Sequence, residues 1–238
     1  MSLIDKAVMN FVLIGDIHSQ FSRFEQAVNY CLSTIENCHL ILLGDAFDSR
    51  CEISNSVEVY KLIRELQEKN LATLLHSNHQ WKLQRYLYGN NIKIDDALRK
   101  TLNDFENSDV DMSELKTWLE SLPFALSFKD QNQQEYRCAH AYHSSKLLVP
   151  PKYNEIYKIH TVSKTMKEKL IYGIHHSEGK RLFWWETPSG HNWIRCSGHY
   201  HTLQINYKNK AIVLDSSCGD SHGLLSAYDV NSKSLYQF

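Results

Sequence analysis

Apolar residues along this chain fall into two regimes. In the first third, NFVLIGD (10–16), CHLILLGD (38–45) and LATLLHSNH (71–79) are near-continuous apolar runs that each stop abruptly at polar residues. Between them, Phe21, Phe24, Ala27, Val28, Cys31, Leu32 and Ile35 recur at helical spacing, as do Ile53, Val57, Tyr60, Ile63 and Leu66 in a helix expected over roughly 53–68. Unbroken apolar strands separated by amphipathic helices predict parallel pairing through right-handed crossovers, with both faces of the sheet covered. Two more amphipathic segments follow, WKLQRYLYG (81–89) and 95–122, the second broken near Asn107-Ser108-Asp109.

The second half changes period. FALSF, EYRCAHA, RLFWWE, WIRCSGHYH, AIVLDSSCG, LLSAYDV and SLYQF are short strand candidates separated by turn residues. The stretch from 150 to 180 is expected to be a partly helical excursion. No repeat, low-complexity tract or Pro/Gly/Ser-rich linker divides the chain, so residues 1–238 are read as a single α/β domain with a sheet-rich core flanked by helices.

Metal-type residues stand at the ends of the early strands: Gly15-Asp16-Ile17-His18, then Gly44-Asp45-Ala46-Phe47-Asp48, then Ser77-Asn78-His79. Parallel strands bring their C-terminal ends to one sheet edge, where open α/β folds collect ligands. Later strands add His140 in CAHA, and His199 and His201 in CSGHYH. One such motif has bland readings, a turn residue, a helix cap or a solvated imidazole. Five at successive strand ends point to a shared site. The donors are oxygen and nitrogen without sulfur, which suits Mn, Fe, Zn or Ni, and they are too many for one ion. Two ions sharing a carboxylate would use them all and serve phosphoryl transfer.

Composition narrows the partners. With 26 basic against 27 acidic side chains the formal charge is −1, which argues against extended duplex DNA or an anionic membrane surface while leaving room for one local phosphate pocket. No apolar run approaches the ~20 residues of a bilayer span, and the N-terminus lacks a signal-peptide pattern. Six scattered cysteines without CxxC spacing fit reduced thiols, so a cytoplasmic setting is expected.

The order GDxH, GDxxD, NH, an isolated His and GHxH resembles the calcineurin-like metallophosphoesterase superfamily from about Phe11 to Tyr236. That resemblance implies a two-sheet mixed β-sandwich flanked by α-helices. It implies Asp16 and His18 on a first metal, Asp45 bridging, Asn78, His140 and His199 on a second, and His201 completing the first. The segment SNHQWKLQRYLYGNNIKIDDALRKTLNDFE, with a Thr-containing helix, is similar to the phosphatase module of bacterial polynucleotide kinase–phosphatases, and LDSSCG places Asp215 at a position important there. Symmetrical dinucleoside tetraphosphatases share much of the pattern. The sequence departs from it at Ser77, where Gly is usual, at Gln80, where an acidic residue is common, and at Arg50, which stands one residue late in GDAFDSR.

The mechanism these residues suggest is attack on phosphorus by a metal-bridging hydroxide, with His79 as general acid, Asp48 setting its tautomer and Arg50 clamping phosphate. Lys82 and Arg85, three apart on one helix face, are further substrate candidates whose plain reading is a solvated surface. Phe183-Trp184-Trp185 and Trp193 are either core or a base-stacking surface, core being the more ordinary role. His143, His175, His176 and His222 have no assigned place. Expected substrates are phosphorylated small molecules, nucleotides or polynucleotide ends. A phosphoprotein is the alternative, and a catalytically silent metal-binding module the third reading.

Overall fold

A computed structural model describes residues 8–143, 151–174 and 182–238. Its first strands form where the continuous apolar runs stand: β1 (Asn10–Ile14), β2 (Cys38–Leu42) and β3 (Ala72–Leu74). They pair in parallel, joined through helices α1 (Phe21–Thr34) and α2 (Ser56–Glu68). Three helices follow β3: α3 (Asn78–Leu87), α4 (Asp96–Glu106) and α5 (Met112–Ser121). Then come β4 (Ala125–Lys129), β5 (Glu135–Ala139), β6 (Tyr157–Ile159), α6 (Lys164–Tyr172), β7 (Ile194–Ser197), β8 (Leu203–Asn206), β9 (Ala211–Leu214), β10 (Ser226–Asp229) and β11 (Ser234–Gln237).

The strands make two mixed sheets. One runs β11-β10-β1-β2-β3, with β10 and β11 antiparallel; the other runs β6-β4-β5-β7-β9-β8, with β5, β7 and β9 parallel. Alternation along β1 explains why residues 11–14 are all apolar: both faces are buried. Phe11 and Leu13 face the second sheet, packing with Phe128, Tyr136, Cys196, Ile212 and Leu214, whereas Val12 and Ile14 face the helices with Phe24, Ala27, Val59 and Ile63. Each large apolar side chain taken out of water on either face contributes roughly 1.5–3 kcal/mol. The two-sheet sandwich flanked by helices is thus the expected architecture. Among the described residues no helix is long and apolar enough to cross a membrane, and all six cysteines are free.

Differences from the sequence reading have local causes. RLFWWE is no strand: a 3-10 turn spans Trp184–Glu186, and Trp184 and Trp185 are buried against Ala141, Tyr200 and Val213. The Trp184 indole donates to the Ala141 carbonyl at 2.8 Å, so these rings pack rather than offer a stacking face, while Phe183 is exposed. Trp193 is also buried, stacked against His191 at 4.9 Å. Strands β6 and β8 escape the pattern because both are half-exposed outer strands with weak alternation. Helix α2 begins at Ser56 rather than 53, since Asp104 of α4 accepts the Ser56 N–H at 3.0 Å and caps the helix there, leaving Ile53 exposed.

The unplaced histidines also resolve in part. His143 is buried, donates Nε2–H to the Cys196 carbonyl at 3.1 Å, and burial pushes it down to about 3. His222 is exposed, and His175 and His176 lie outside the described residues. Two further imidazoles are buried and neutral: His39, bonded to Asn70 and Thr73, and His76, bonded to Gln84 and stacked on Phe124, each pushed down to about 4 by burial. All three remain uncharged in the fold but protonate near 6.5 once unfolded. The unfolded chain therefore binds more protons between about pH 6.5 and 4, and stability falls as pH drops through that window, by up to about 1.4 kcal/mol per pH unit for each group. Urea denaturation between pH 7 and 4.5 is expected to show that decline, reduced when His143 is replaced by Gln. A stability independent of pH over this range would contradict it.

Candidate active site

Five strand ends open onto one edge of the sandwich, and the backbone there is bent sharply. His18, Asp45, Asp48, His199, His201 and Ser217 all have positive φ, between 39° and 74°. Such clustering of a sparsely populated conformation marks places where the fold over-determines side-chain direction. Two glycines make the approach possible. At Gly198 an added Cβ would lie 1.8 Å from Asp16 Oδ1, and at Gly44 (φ +122°) it would lie 2.5 Å from His140 Nδ1. Ser77, standing where glycine was expected, caps α3 by accepting the Gln80 N–H. Gln80 turns back to bond the Ser77 hydroxyl.

Asp45 is the hub. It is 3% exposed, and its Oδ2 lies 3.4 Å from His140 Nε2, 3.7 Å from His18 Nε2 and 3.8 Å from His79 Nε2. Two ligand-like groups share it: His18, Asp45 and His79 on one side, Asp45, His140 and His199 on the other, with donor atoms inside each group within 4.8 Å of one another. Burial pushes the Asp45 carboxyl up, but the facing imidazoles of His140, His79 and His18 outweigh burial and hold it well below the usual carboxylate range. At Asp16 burial acts with the carboxylates of Asp215 and Asp45, and its carboxyl is raised well above that range. Asp16 Oδ2 accepts the His199 N–H at 2.8 Å.

The donor set fits cations. The 3.4–3.8 Å gaps around Asp45 Oδ2 are too long for hydrogen bonds, yet suit two donor atoms each about 2.1 Å from a shared ion. His140 Nδ1 donates to the Leu43 carbonyl at 2.9 Å, and its Nε2 lies 2.8 Å from Asn78 Oδ1. His18 is fixed the same way, its Nδ1 donating to the carbonyls of Phe47 and Asp48 at 3.2 and 3.1 Å. Locking one ring nitrogen on a carbonyl to present the other is how metal-ligating histidines are oriented. Among the described residues Asp45 Oδ1 and Asp16 Oδ1 are buried without a hydrogen-bond partner, a costly state for a carboxylate oxygen unless an ion meets it.

His79 stands on the opposite footing. Its Nδ1 donates to Asp48 Oδ2 at 2.7 Å, leaving Nε2 toward Asp45. Burial disfavours its charge, but Asp45 and Asp48 prevail and raise its pKa. Asp48 is fully buried, and its second oxygen accepts the Thr101 hydroxyl at 2.8 Å. The sequence marked Thr101 only as the threonine of a helix shared with the resembled module, because a helical threonine carries no signal of what its hydroxyl meets.

The remaining candidates divide. Arg50 reaches the rim despite its late position: its guanidinium lies 3.0 and 2.8 Å from the two ring nitrogens of His201 and 3.6 Å from Asp220 Oδ1. His201, for which a ligand role was implied, is exposed and lies against Arg50, and its backbone N–H donates to Asp215 Oδ2 at 2.6 Å. Lys82 pairs with Asp95 at 2.5 Å, and Arg85 is exposed on the same helix. Among the described residues neither Lys82 nor Arg85 hydrogen-bonds to the Asp45 constellation, which favours the solvated-surface reading.

Comparison with known proteins agrees with this geometry. A family model described as calcineurin-like phosphoesterase matches residues 9–230. The chain is 24% identical over 227 residues to the asymmetrical bis(5'-nucleosyl)-tetraphosphatase PrpE of Bacillus subtilis, covering 88% of this chain and 86% of the relative. A solved structure described as a candidate diadenosine tetraphosphatase superposes with a TM-score of 0.63 at 19% identity, covering 98% of this chain and 94% of that one. A cold-active protein tyrosine phosphatase superposes at 0.56 and 16% identity, covering 97% and 80%; both superpositions speak to the fold.

Because Gly198 leaves no room beside Asp16, Gly198→Ala is expected to displace that carboxylate and weaken Mn²⁺ binding by at least about tenfold, the scale set by disturbing a group that supports a metal site. Calorimetric titration of the folded variant checks this, and unchanged affinity would contradict it.

Proposed function

Since the chain belongs to the calcineurin-like phosphoesterase family and is therefore a phosphoric ester hydrolase, we propose that it acts on nucleotidic phosphate, with dinucleoside tetraphosphates as the favoured substrates. The observation that carries the proposal is the arrangement around Asp45, two clusters of donor atoms sharing one buried carboxylate, with one member, His79, braced on Asp48. The likeness to an asymmetrical dinucleoside tetraphosphatase over nearly the whole chain supports the choice of substrate.

In this reading Asp16, His18 and Asp45 would hold one divalent ion, and Asp45, Asn78, His140 and His199 a second, with manganese the leading identity. When bound, such a pair supplies Lewis-acid polarisation of the phosphoryl group and an activated water. The chain's own residues do the rest. His79 delivers a proton from Nε2 to the leaving oxygen as the bond to phosphorus breaks. Asp48, accepting Nδ1–H at 2.7 Å, fixes the tautomer and supports the charged form that donates. Arg50 contacts substrate phosphate from the rim, and His201 and Asp220 hold its guanidinium in place, so His201 is assigned to bracing Arg50 rather than to a metal. A phosphoprotein substrate remains the second reading, since the same centre would serve it behind a different groove.

Two measurements test this. With Mn²⁺ present, diadenosine tetraphosphate is expected to give a higher kcat/KM than nucleoside 2',3'-cyclic phosphates or a phosphopeptide. A preference for the phosphopeptide would overturn the substrate assignment. For the proton donor, His79→Ala is expected to lower kcat on phenyl phosphate by about 10²–10⁴, the usual scale for general acid catalysis, and on p-nitrophenyl phosphate far less, because the better leaving group needs no proton. Equal losses on both would remove His79 from that role.

A further inference from the structure

Helix α4 reaches into the site at one point. Thr101 is fully buried, and its hydroxyl makes two contacts with the same residue: it accepts the Asp48 N–H at 3.1 Å and donates to Asp48 Oδ1 at 2.8 Å. Ser56 also directs its hydroxyl to Thr101 Oγ1, at 3.4 Å. A threonine hydroxyl has one hydrogen and two acceptor sites. With incoming N–H and O–H groups on the acceptor side, the single proton has one place to go, the Asp48 carboxylate. Among the described residues the other oxygen, Asp48 Oδ2, meets His79 Nδ1.

The same helix is anchored independently of this contact. Asp104, three residues on and so on the same face of α4, accepts the Ser54 hydroxyl at 2.7 Å and the Ser56 N–H at 3.0 Å. Phe105 packs against Phe47 and Tyr60 in edge-to-face pairs at 5.4 and 5.8 Å. Asp48 itself has φ +68°, a conformation in which its backbone N–H turns away from strand partners and needs another acceptor. One hydroxyl satisfies that N–H and orients the carboxylate together.

We infer that Thr101 is a positioning residue for proton delivery: by binding both the backbone and the side chain of Asp48, it sets the direction in which Asp48 holds the His79 ring. This role rests on the general-acid reading of His79. It predicts a defect selective for poor leaving groups, because a misdirected imidazole matters only where a proton must be delivered.

The test uses the full chain loaded with Mn²⁺. Thr101→Val, which keeps the shape and removes the hydroxyl, is expected to lower kcat on phenyl phosphate about tenfold and to leave KM, Mn²⁺ affinity and p-nitrophenyl phosphate turnover within about twofold, one misdirected hydrogen bond being worth roughly a factor of ten. Thr101→Ser is expected to restore the ratio between the substrates. In the His79→Ala background, Thr101→Val is expected to cost nothing further. Should the valine variant fail to fold, Thr101→Ala takes its place against Thr101→Ser. Equal loss on both substrates, or failure of serine to rescue, overturns the inference while a selective His79→Ala defect leaves the general-acid reading standing. A His79→Ala defect that is itself unselective overturns both.

Discussion

The structure depends on keeping one carboxylate, Asp45, ionised where almost no water reaches it. A buried, uncompensated charge costs several kcal/mol. Here imidazoles face it from three other elements: His18 after β1, His79 on α3 and His140 after β5. Two of them, His18 and His140, have one ring nitrogen committed to backbone carbonyls. Rings fixed this way turn their other nitrogen toward Asp45, as metal-ligating histidines do. Oxygen and nitrogen donors gathered on one buried carboxylate form a setting that divalent cations fit.

That constraint explains where the fold is rigid and where it is bent. Parallel strands buried on both faces serve as mounts, and the chain turns sharply just past their ends, at His18, Asp45, Asp48 and His199, all with positive φ. Each bend costs on the order of 1–3 kcal/mol for a residue other than glycine, and the packed sandwich on either side keeps it in place. Glycine appears where backbone must come against a ligand side chain, as Gly198 does against Asp16. Two chemically different halves result. Around Asp45 the rings of His18 and His140 are fixed on backbone carbonyls, while beside it the ring of His79 is fixed on the Asp48 carboxylate.

Much of the arrangement was legible in the sequence, because apolar strands ending in GD, GD and NH state both the mount and the candidate donors. Asp16, His18, Asp45, Asn78, His140 and His199 do gather at one edge, and Asp48 does hold His79. What could not be read are relations set by packing alone. The partner of Arg50 was out of reach because His201 stands 151 positions further along the chain and meets it only in the fold. The RLFWWE segment has strand composition, yet its tryptophans are drawn into a 3-10 turn by the Ala141 carbonyl and a waiting apolar pocket. Thr101 lies 53 residues from Asp48, on a helix whose pattern shows only which face is apolar.

The central claim is that one oxygen of Asp45 joins two cation sites. Anomalous diffraction from crystals of the protein grown with Mn²⁺ addresses it directly. Two peaks on either side of Asp45, one toward His18 and Asp16 and one toward Asn78, His140 and His199, are the predicted result. A single peak, or manganese bound away from Asp45, would contradict it.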